Sequence, residues 1–289
     1  MTAQNEPRLL RIGVPSKGRL AELSAQLLNE AGLPFKRSER SLFVRCRDLP
    51  IEVIFLRADD IPVLIAEGAI DLGITGADLV AECGLPVVHR LNLGIGSCRL
   101  ALCVSVDSAV NDPRQLAGKR IATSFPRVTR NWLAERGVEA HLVEISGSVE
   151  IMIQLNVADA IVDLVETGST LTANHLRVLD EIGRYETVLM QHPQVSDALL
   201  ADRIVRRLEG IVIARTYSLL EYNILRSHLA AAEAVTPGFN SPTVSALEDR
   251  DWCAVRAMVR RSDAHGIMER LEALGACAII ETSISNCRL

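Results

Sequence analysis

Aromatic side chains are scarce in this chain: two Trp, three Tyr and five Phe, or 3% of 289 residues. Its cores must be packed from Leu, Ile, Val and Ala, and the hydrophobic fraction of 48% supplies these amply. A surplus of positive charge is also missing. Lys+Arg total 31 against 36 Asp+Glu, a net charge of −5, which argues against a general nucleic-acid binder with its basic balance or stripe. No apolar run approaches the roughly 18 residues of a membrane span. No signal-peptide core follows the polar Met1–Pro7. These absences predict a cytoplasmic protein with no membrane partner. The seven cysteines (Cys46, Cys83, Cys98, Cys103, Cys253, Cys277 and Cys287) form no C-x-x-C pair, and their number is odd. Reduced thiols are expected, rather than a disulfide framework or a zinc site.

Stock catalytic signatures are absent as well. There is no G-x-S-x-G, no H-E-x-x-H and no G-x-x-x-x-G-K-[ST]. Gly94-Ile95-Gly96 opens like a dinucleotide fingerprint, but Arg99 stands where its last glycine belongs. The six histidines are scattered and read as exposed or packing residues.

What is present is a strand–helix alternation. Leu9–Val14 reads as a strand, with Leu20–Ala31 a helix stopped by Gly32. Ser41–Arg45, Ile51–Leu56 and Ile70–Thr75 read as further strands, and Leu79–Cys83 as a short helix. A second lobe begins near Ile95, with strands at Leu100–Val106, Arg120–Ser124 and His141–Ile145 and a helix at Pro126–Arg136. Thr172–Leu179 is expected to be helical, and Tyr185–His192 to return the chain to the first lobe. Such alternation predicts α/β layers with largely parallel sheets and ligands at the carboxyl ends of strands. After a linker helix at Ser196–Leu208 the remaining order is βαββαβ, the ferredoxin-like pattern. Residues 1–94 with 180–195 are expected to form lobe I, 95–179 lobe II, and 210–289 a regulatory domain.

The most informative stretch runs from Glu150 to Leu171, E-I-M-I-Q-L-N-V-A-D-A-I-V-D-L-V-E-T-G-S-T-L. Val149–Asn156 has the length of a helical turn or two, and Ala160–Val165 that of a buried strand. Asp163 sits inside that strand, where an acid is costly unless something pairs with it. Thr167-Gly168-Ser169-Thr170 follows at the strand's carboxyl end, and its backbone N–H groups and hydroxyls suit a phosphate. An acid able to grip ribose hydroxyls beside a phosphate cradle suggests a phosphorylated sugar. Asp159 also fits a plain role flanking the strand, and Glu150 a helix-dipole role. Lys17 and Arg19 follow the first strand and suit either an anionic substrate or a solvated turn. Arg57 could equally pair with Asp59 or Asp60. Asp71-Leu72-Gly73-Ile74-Thr75-Gly76 echoes Asp163-Leu164-Val165-Glu166-Thr167-Gly168 as D-L-x-x-T-G, which suggests two related lobes.

The stretch from Glu150 to Leu171 resembles the signature of the ATP phosphoribosyltransferase family. Similarity extends through R-I-G-V-P-S-K-G-R-L near residue 15, L-R-A-D-D-I-P at 56–62, D-L-G-I-T-G-A-D-L at 71–79 and R-I-A-T-S-F-P at 120–126. T-P-G-F-N-S-P-T-V at 236–244 resembles the long form with its own regulatory domain. Asn156 departs from the family's usual glycine. The resemblance implies two periplasmic-binding-protein-like lobes around a cleft. It implies attack of ATP N1 on C1 of phosphoribosyl pyrophosphate (PRPP), with Mg²⁺ accompanying PRPP through substrate oxygens and water. Asp163, with Asp159, would hold the ribose hydroxyls or Mg²⁺-bound water. Glu150 joins the PRPP set, and Thr167, Gly168, Ser169, Thr170 and Leu171 would cradle the 5-phosphate. Arg57 would steady pyrophosphate, with Lys17, Arg19, Asp71, Thr75 and Gly76 toward ATP or pyrophosphate. Histidine would inhibit through Glu221, Thr236, Ser241, Thr243 and Thr282, in a homo-oligomer (dimer and hexamer). Two rivals share the architecture: a non-catalytic small-molecule sensor, and a catalytically dead family member serving as an allosteric subunit.

Overall fold

The computed structural model describes residues 9–36, 41–165 and 168–288. They fall into two compact units, one within residues 9–29 and 33–202 and the other within residues 30–32 and 203–288.

The first unit holds two sheets. Chain order in the first lobe is β1 (Leu10–Pro15), α1 (Arg19–Glu30), β2 (Phe43–Arg45), β3 (Ile51–Leu56), α2 (Asp60–Ala66), β4 (Leu72–Gly76), α3 (Ala77–Cys83) and β5 (Val88–Asn92). The second lobe contributes β6 (Cys98–Ser105), β7 (Arg120–Thr123), α4 (Pro126–Glu135), β8 (His141–Glu144), β9 (Ala160–Val165), α5 (Ser169–Ala173) and β10 (Leu176–Tyr185). Then β11 (Thr187–Gln191) rejoins the first sheet, giving the order β2-β3-β1-β4-β11-β5 against β10-β6-β9-β7-β8 in the second. Two α/β lobes are as expected, but the sheets are mixed. β3, β1 and β4 are parallel, as are β9, β7 and β8, whereas β2, β6, β10 and β11 all pair antiparallel.

Two local readings are corrected. Residues 176–179 open the long strand β10 rather than ending a helix, because Leu176, Arg177 and Val178 pair with Ser105, Val104 and Cys103 of β6. Between Val149 and Asn156 the helical turn or two expected is present as a 3₁₀ turn at Val149–Ile151, with hydrogen-bonded turns continuing to Asn156. The D-L-x-x-T-G echo is also not structural. Asp71 precedes β4, while Asp163 lies inside β9 and Gly168 beyond it.

The cores follow from the scarcity of rings. Leu10, Ile12, Ile51, Val53, Leu72 and Ile74 are fully buried in the first sheet. Gly73 is required there, since a Cβ would come within 2.5 Å of Ile61 and 2.7 Å of Ile65 on α2. The second lobe is almost as aliphatic, with Leu100, Leu102, Ile121 and Val162 packed around Phe125 and Trp132. Arg136 stacks 3.8 Å over the Trp132 ring.

α3 ties the lobes. Its Leu79 packs against the second lobe's core. Its Glu82 accepts the N–H groups of Arg127 (2.8 Å) and Val128 (2.9 Å) at the start of α4. That helix has Phe125 at its N-cap and Pro126 at its first position, so it has no side-chain cap of its own. Glu82 satisfies the orphan donors that every helix start leaves.

α6 (Ala198–Thr216) begins in the residues of the first unit and continues into those of the second, and is longer than the linker expected at Ser196–Leu208. It leads into β12 (Tyr217–Leu225), α7 (Leu229–Val235), β13 (Thr243–Ala246), β14 (Trp252–Arg260), α8 (Ala264–Ala273) and β15 (Cys277–Ser283). The antiparallel order β13-β14-β12-β15 is the ferredoxin-like arrangement. Leu220, Tyr222, Ile224, Cys253 and Val255 share a core with Ala232, Ala264, Ile267 and Leu271 of the helices.

Replacing Glu82 with Ala should lower stability by about 1–2 kcal/mol, the usual cost of losing a cap. That is comparable with exposing one aliphatic side chain. A urea unfolding midpoint measures it, with Glu82→Gln expected to recover part of the loss.

Candidate functional site

β9 runs between β6 and β7, and Ala160, Ile161 and Val162 on it are fully buried. The strand emerges only at its carboxyl end. There Asp163 is half-buried and its Oδ1 accepts the N–H of Leu164 at 2.8 Å. Burial pushes the Asp163 carboxyl above its ordinary range; the Leu164 N–H partly offsets this and the charge of Glu150 adds to it. Buried Cys103 has its thiol pushed up to about 12, chiefly by burial, so it is no nucleophile at neutral pH. All seven cysteines are free thiols.

Past the strand, Gly168 takes φ +79° as the N-cap of α5, and among the described residues none beyond its own chain neighbours comes within 4 Å of where its Cβ would be. A cavity of about 400 Å³ is lined by Glu150, Asp163, Leu164, Val165, Gly168, Ser169, Thr170 and Leu171. The fold thus brings together the acid, Glu150 and the glycine–hydroxyl turn. Thr167 lies outside the described residues.

Asp159 is not in this pocket. It precedes the amino end of β9, where it accepts from Arg120 N (2.9 Å), Nε (3.3 Å) and a terminal guanidinium nitrogen (3.2 Å). The Arg120 bonds hold its carboxyl below the ordinary range. Asp159 therefore serves the strand rather than ribose. Nearby Asn156 has φ +55°, a conformation that favours glycine, and its carbonyl accepts from Arg120 at 2.8 Å. Asn is among the non-glycine residues that tolerate this region best.

In the first lobe, Lys17 is exposed after β1, and Arg57 is exposed with Asp59 3.3 Å away. Arg19 and Gly76 line a cavity of about 230 Å³ with Leu20, Leu23, Asp78, Leu79, Gly96, Cys98, Leu164 and Thr187. Two residues expected at the substrate are spent on the fold instead. Asp71 is 3% exposed and accepts the N–H groups of Arg11 (2.9 Å) and Ser196 (3.0 Å). Thr75 is fully buried and donates to the Ala58 carbonyl at 2.8 Å. The acid that does reach this cavity is Asp78. It is 5% exposed, and burial raises its carboxyl pKa, partly offset by its own N–H and that of Leu79. It stands two residues after the D-L-G-I-T-G stretch, the one signal available in the sequence.

Among the described residues no group of three or more His, Cys, Asp or Glu could hold a metal ion. Among the described residues Glu150 and Asp163 are the carboxylates at the Gly168 turn, a donor set that suits an ion carried largely by substrate oxygens.

On the second unit, Glu221 pairs with Arg256 at 2.5 Å, and Thr243 stands opposite Arg256 in the neighbouring strand. Thr282 on β15 and Ser241 are exposed. Thr236 is fully buried, bonded to the Tyr222 hydroxyl at 2.7 Å and the Ala232 carbonyl at 3.1 Å. It therefore drops out as an effector contact.

Fold and site together define a class: a bilobed α/β body whose cleft offers an acid beside a glycine–hydroxyl turn, followed by a ferredoxin-like module. The model of the family HisG, ATP phosphoribosyltransferase, matches residues 57–210, and that of the HisG C-terminal domain matches residues 214–286. The chain belongs to the ATP phosphoribosyltransferase family. An ATP phosphoribosyltransferase of Rhodopirellula baltica is 61% identical over 97% of this chain and 94% of its own. One from Saccharopolyspora erythraea is 42% identical over 97% of this chain and its own full length. Among solved structures, the ATP phosphoribosyl transferase (HisG:HisZ) complex from Thermotoga maritima matches with a TM-score of 0.60 and 28% identity, covering 70% of this chain and 99% of that one. An L-cystine ABC transporter structure from Listeria monocytogenes matches in fold alone, with a TM-score of 0.51 and 17% identity over 71% of this chain and 90% of that one.

Replacing Asn156 with Gly should leave stability unchanged or raise it slightly. Asn156→Val should cost about 1–2 kcal/mol, the penalty of a left-handed L residue. Thermal melts of the two variants give the comparison.

Proposed function

We propose that this chain catalyses the first step of histidine biosynthesis, transferring phosphoribosyl from PRPP to N1 of ATP with release of pyrophosphate. The observation that carries this reading is Asp163 sharing one cavity with Glu150 and the Gly168–Leu171 turn, in a chain of this family. Breaking the bond at C1 develops positive charge on the ribose and negative charge on the leaving pyrophosphate. Alignment and electrostatics suffice for this chemistry, and no covalent nucleophile is needed.

Asp163, with Glu150, engages the ribose hydroxyls and faces the charge that develops on the sugar. Backbone N–H groups of the Gly168–Leu171 turn and the hydroxyls of Ser169 and Thr170 receive the 5-phosphate. Lys17, Arg19 and Arg57 come from the other lobe and meet ATP and pyrophosphate, with Gly76 lining the same side. Magnesium, when bound with PRPP, supplies charge neutralisation on the leaving group. Histidine inhibition is assigned to the second unit, with Glu221, Ser241, Thr243 and Thr282 as contacts, in a homo-oligomeric enzyme. No described helix is long and apolar enough to cross a membrane.

The competing reading, a non-catalytic sensor, has support only from the fold shared with transport-type structures. Purified protein given ATP, PRPP and Mg²⁺ with pyrophosphatase should form phosphoribosyl-ATP, and added histidine should slow it. PRPP binding without product would favour the sensor.

Asp163→Asn should keep the fold and lower turnover by at least about 100-fold, the cost of removing one electrostatic contact to the transition state. The folded pKa of Asp163 is raised, so the penalty for ionising it is fully present above that pKa and disappears as pH falls below the unfolded value. The variant should therefore match or exceed the parent's Tm at pH 7.5, with the margin shrinking on acidification. A more stable and fully active variant would remove Asp163 from the site.

A further inference from the structure

The register of three strands places a second set of charges beside the Asp163 pocket. On β6, Arg99 stands directly opposite Arg184 of β10 on one side and Val165 of β9 on the other. Two residues along β6, about 7 Å away, Ala101 stands opposite Glu181 on one side and Asp163 on the other. Directly opposed residues project from the same face of a sheet, and so do residues two apart. Arg99, Arg184 and Val165 therefore form a row beside the row that contains Asp163.

Like charges directly opposite one another on paired strands repel. Here Glu181 faces both guanidinium groups. Glu181 accepts from Arg184 at 2.7 and 3.4 Å and lies 3.8 Å from Arg99. Both arginines open onto a cavity of about 450 Å³ that Val165 and Cys98 also line. Val165 is shared with the Asp163 pocket, and Cys98 with the cavity lined by Arg19, Gly76 and Asp78. Glu186, at the same cavity, is engaged with the Gly94 N–H at 3.0 Å.

We propose that Arg99 and Arg184 form a polyphosphate subsite, with Glu181 holding the two forks apart until the anion arrives. A guanidinium presents paired donors that match phosphate oxygens. Two forks set side by side suit a chain of phosphates better than a single one. This deepens the reading of the cleft as a phosphoribosyl-transfer site and rests on it for the identity of the guest. The cations assigned above, Lys17, Arg19 and Arg57, all come from the first lobe, whereas this pair supplies positive charge from the second lobe's sheet. The phosphate chain could be the triphosphate of ATP or the pyrophosphate of PRPP, which share the same chemistry.

The test is calorimetric titration of full-length protein and its Arg99→Gln, Arg184→Gln and Glu181→Gln variants with ATP, AMP, PRPP and inorganic tripolyphosphate. Each arginine variant should weaken tripolyphosphate about tenfold, the loss of one charge-assisted pair. If the guest is the triphosphate, ATP weakens in parallel while AMP and PRPP change less than twofold. If PRPP weakens and ATP does not, the subsite stands and serves pyrophosphate. Glu181→Gln should shift affinity the opposite way, tightening tripolyphosphate several-fold. Arg184→Lys should recover part of the loss, because it keeps the charge without the fork. Unchanged affinity for all four ligands in both arginine variants would overturn the proposal. Should the parent protein make no phosphoribosyl-ATP while the arginine variants still lose tripolyphosphate, the reaction reading falls and the subsite survives.

Discussion

An ionisable group on a buried strand is costly unless it is paired or the strand meets an opening, and the first unit of this molecule depends on that constraint. β9 is sealed on both flanks by β6 and β7 through Ile161 and Val162. It tolerates Asp163 because the cavity against Glu150 and Gly168 begins there. The cost of partial burial shows in the raised pKa of the carboxyl. The same pairing of β9 with β6, and of β6 with β10, turns Arg99 and Arg184 to the face that carries Asp163. A one-residue slip of any one of these strands would send its own charged side chain to the other side of the sheet, away from the other two.

α3 shows how much a seven-residue helix can be asked to do. Asp78 in its first turn lines the cavity with Arg19 and Cys98. Leu79 packs into the neighbouring lobe, and Glu82, one turn after Asp78, completes the start of α4. The cavity-lining acid and the inter-lobe tie therefore sit on one short helix, so any relative motion of the lobes is felt at Asp78.

Much of the layout was legible in the chain. The βαββαβ tail, the strand at Ala160–Val165 and the turn after it announce themselves through local pattern and glycine placement, and the acid inside an apolar run marked Asp163. What was not legible depends on long-range pairing. Asp159 and Asp163 look alike in a one-dimensional motif, yet one end of β9 meets Arg120 and the other a cavity. Asp71 and Thr75 looked like ligand groups but are held by Arg11, Ser196 and Ala58, up to 125 residues away in sequence. Residues 176–179 suit helix or strand by their local sequence alone, and only pairing with the β6 edge decides it. The Arg99–Arg184 pair is 85 residues apart and invisible without the strand register.

The scarcity of rings leaves the molecule with two tryptophans, and they are divided between its two units. Trp132 lies in the core of the second lobe, its indole N–H without a hydrogen-bond partner and its ring capped by Arg136. Trp252 begins β14 of the ferredoxin-like module and is only partly buried. Each unit therefore carries its own intrinsic fluorophore. The emission of Trp132, in an apolar, cation-capped setting, reports on the lobe that holds the Asp163 pocket, and that of Trp252 on the module that follows it. A single-tryptophan variant of either kind makes the loosening of one unit visible while the other stays optically silent.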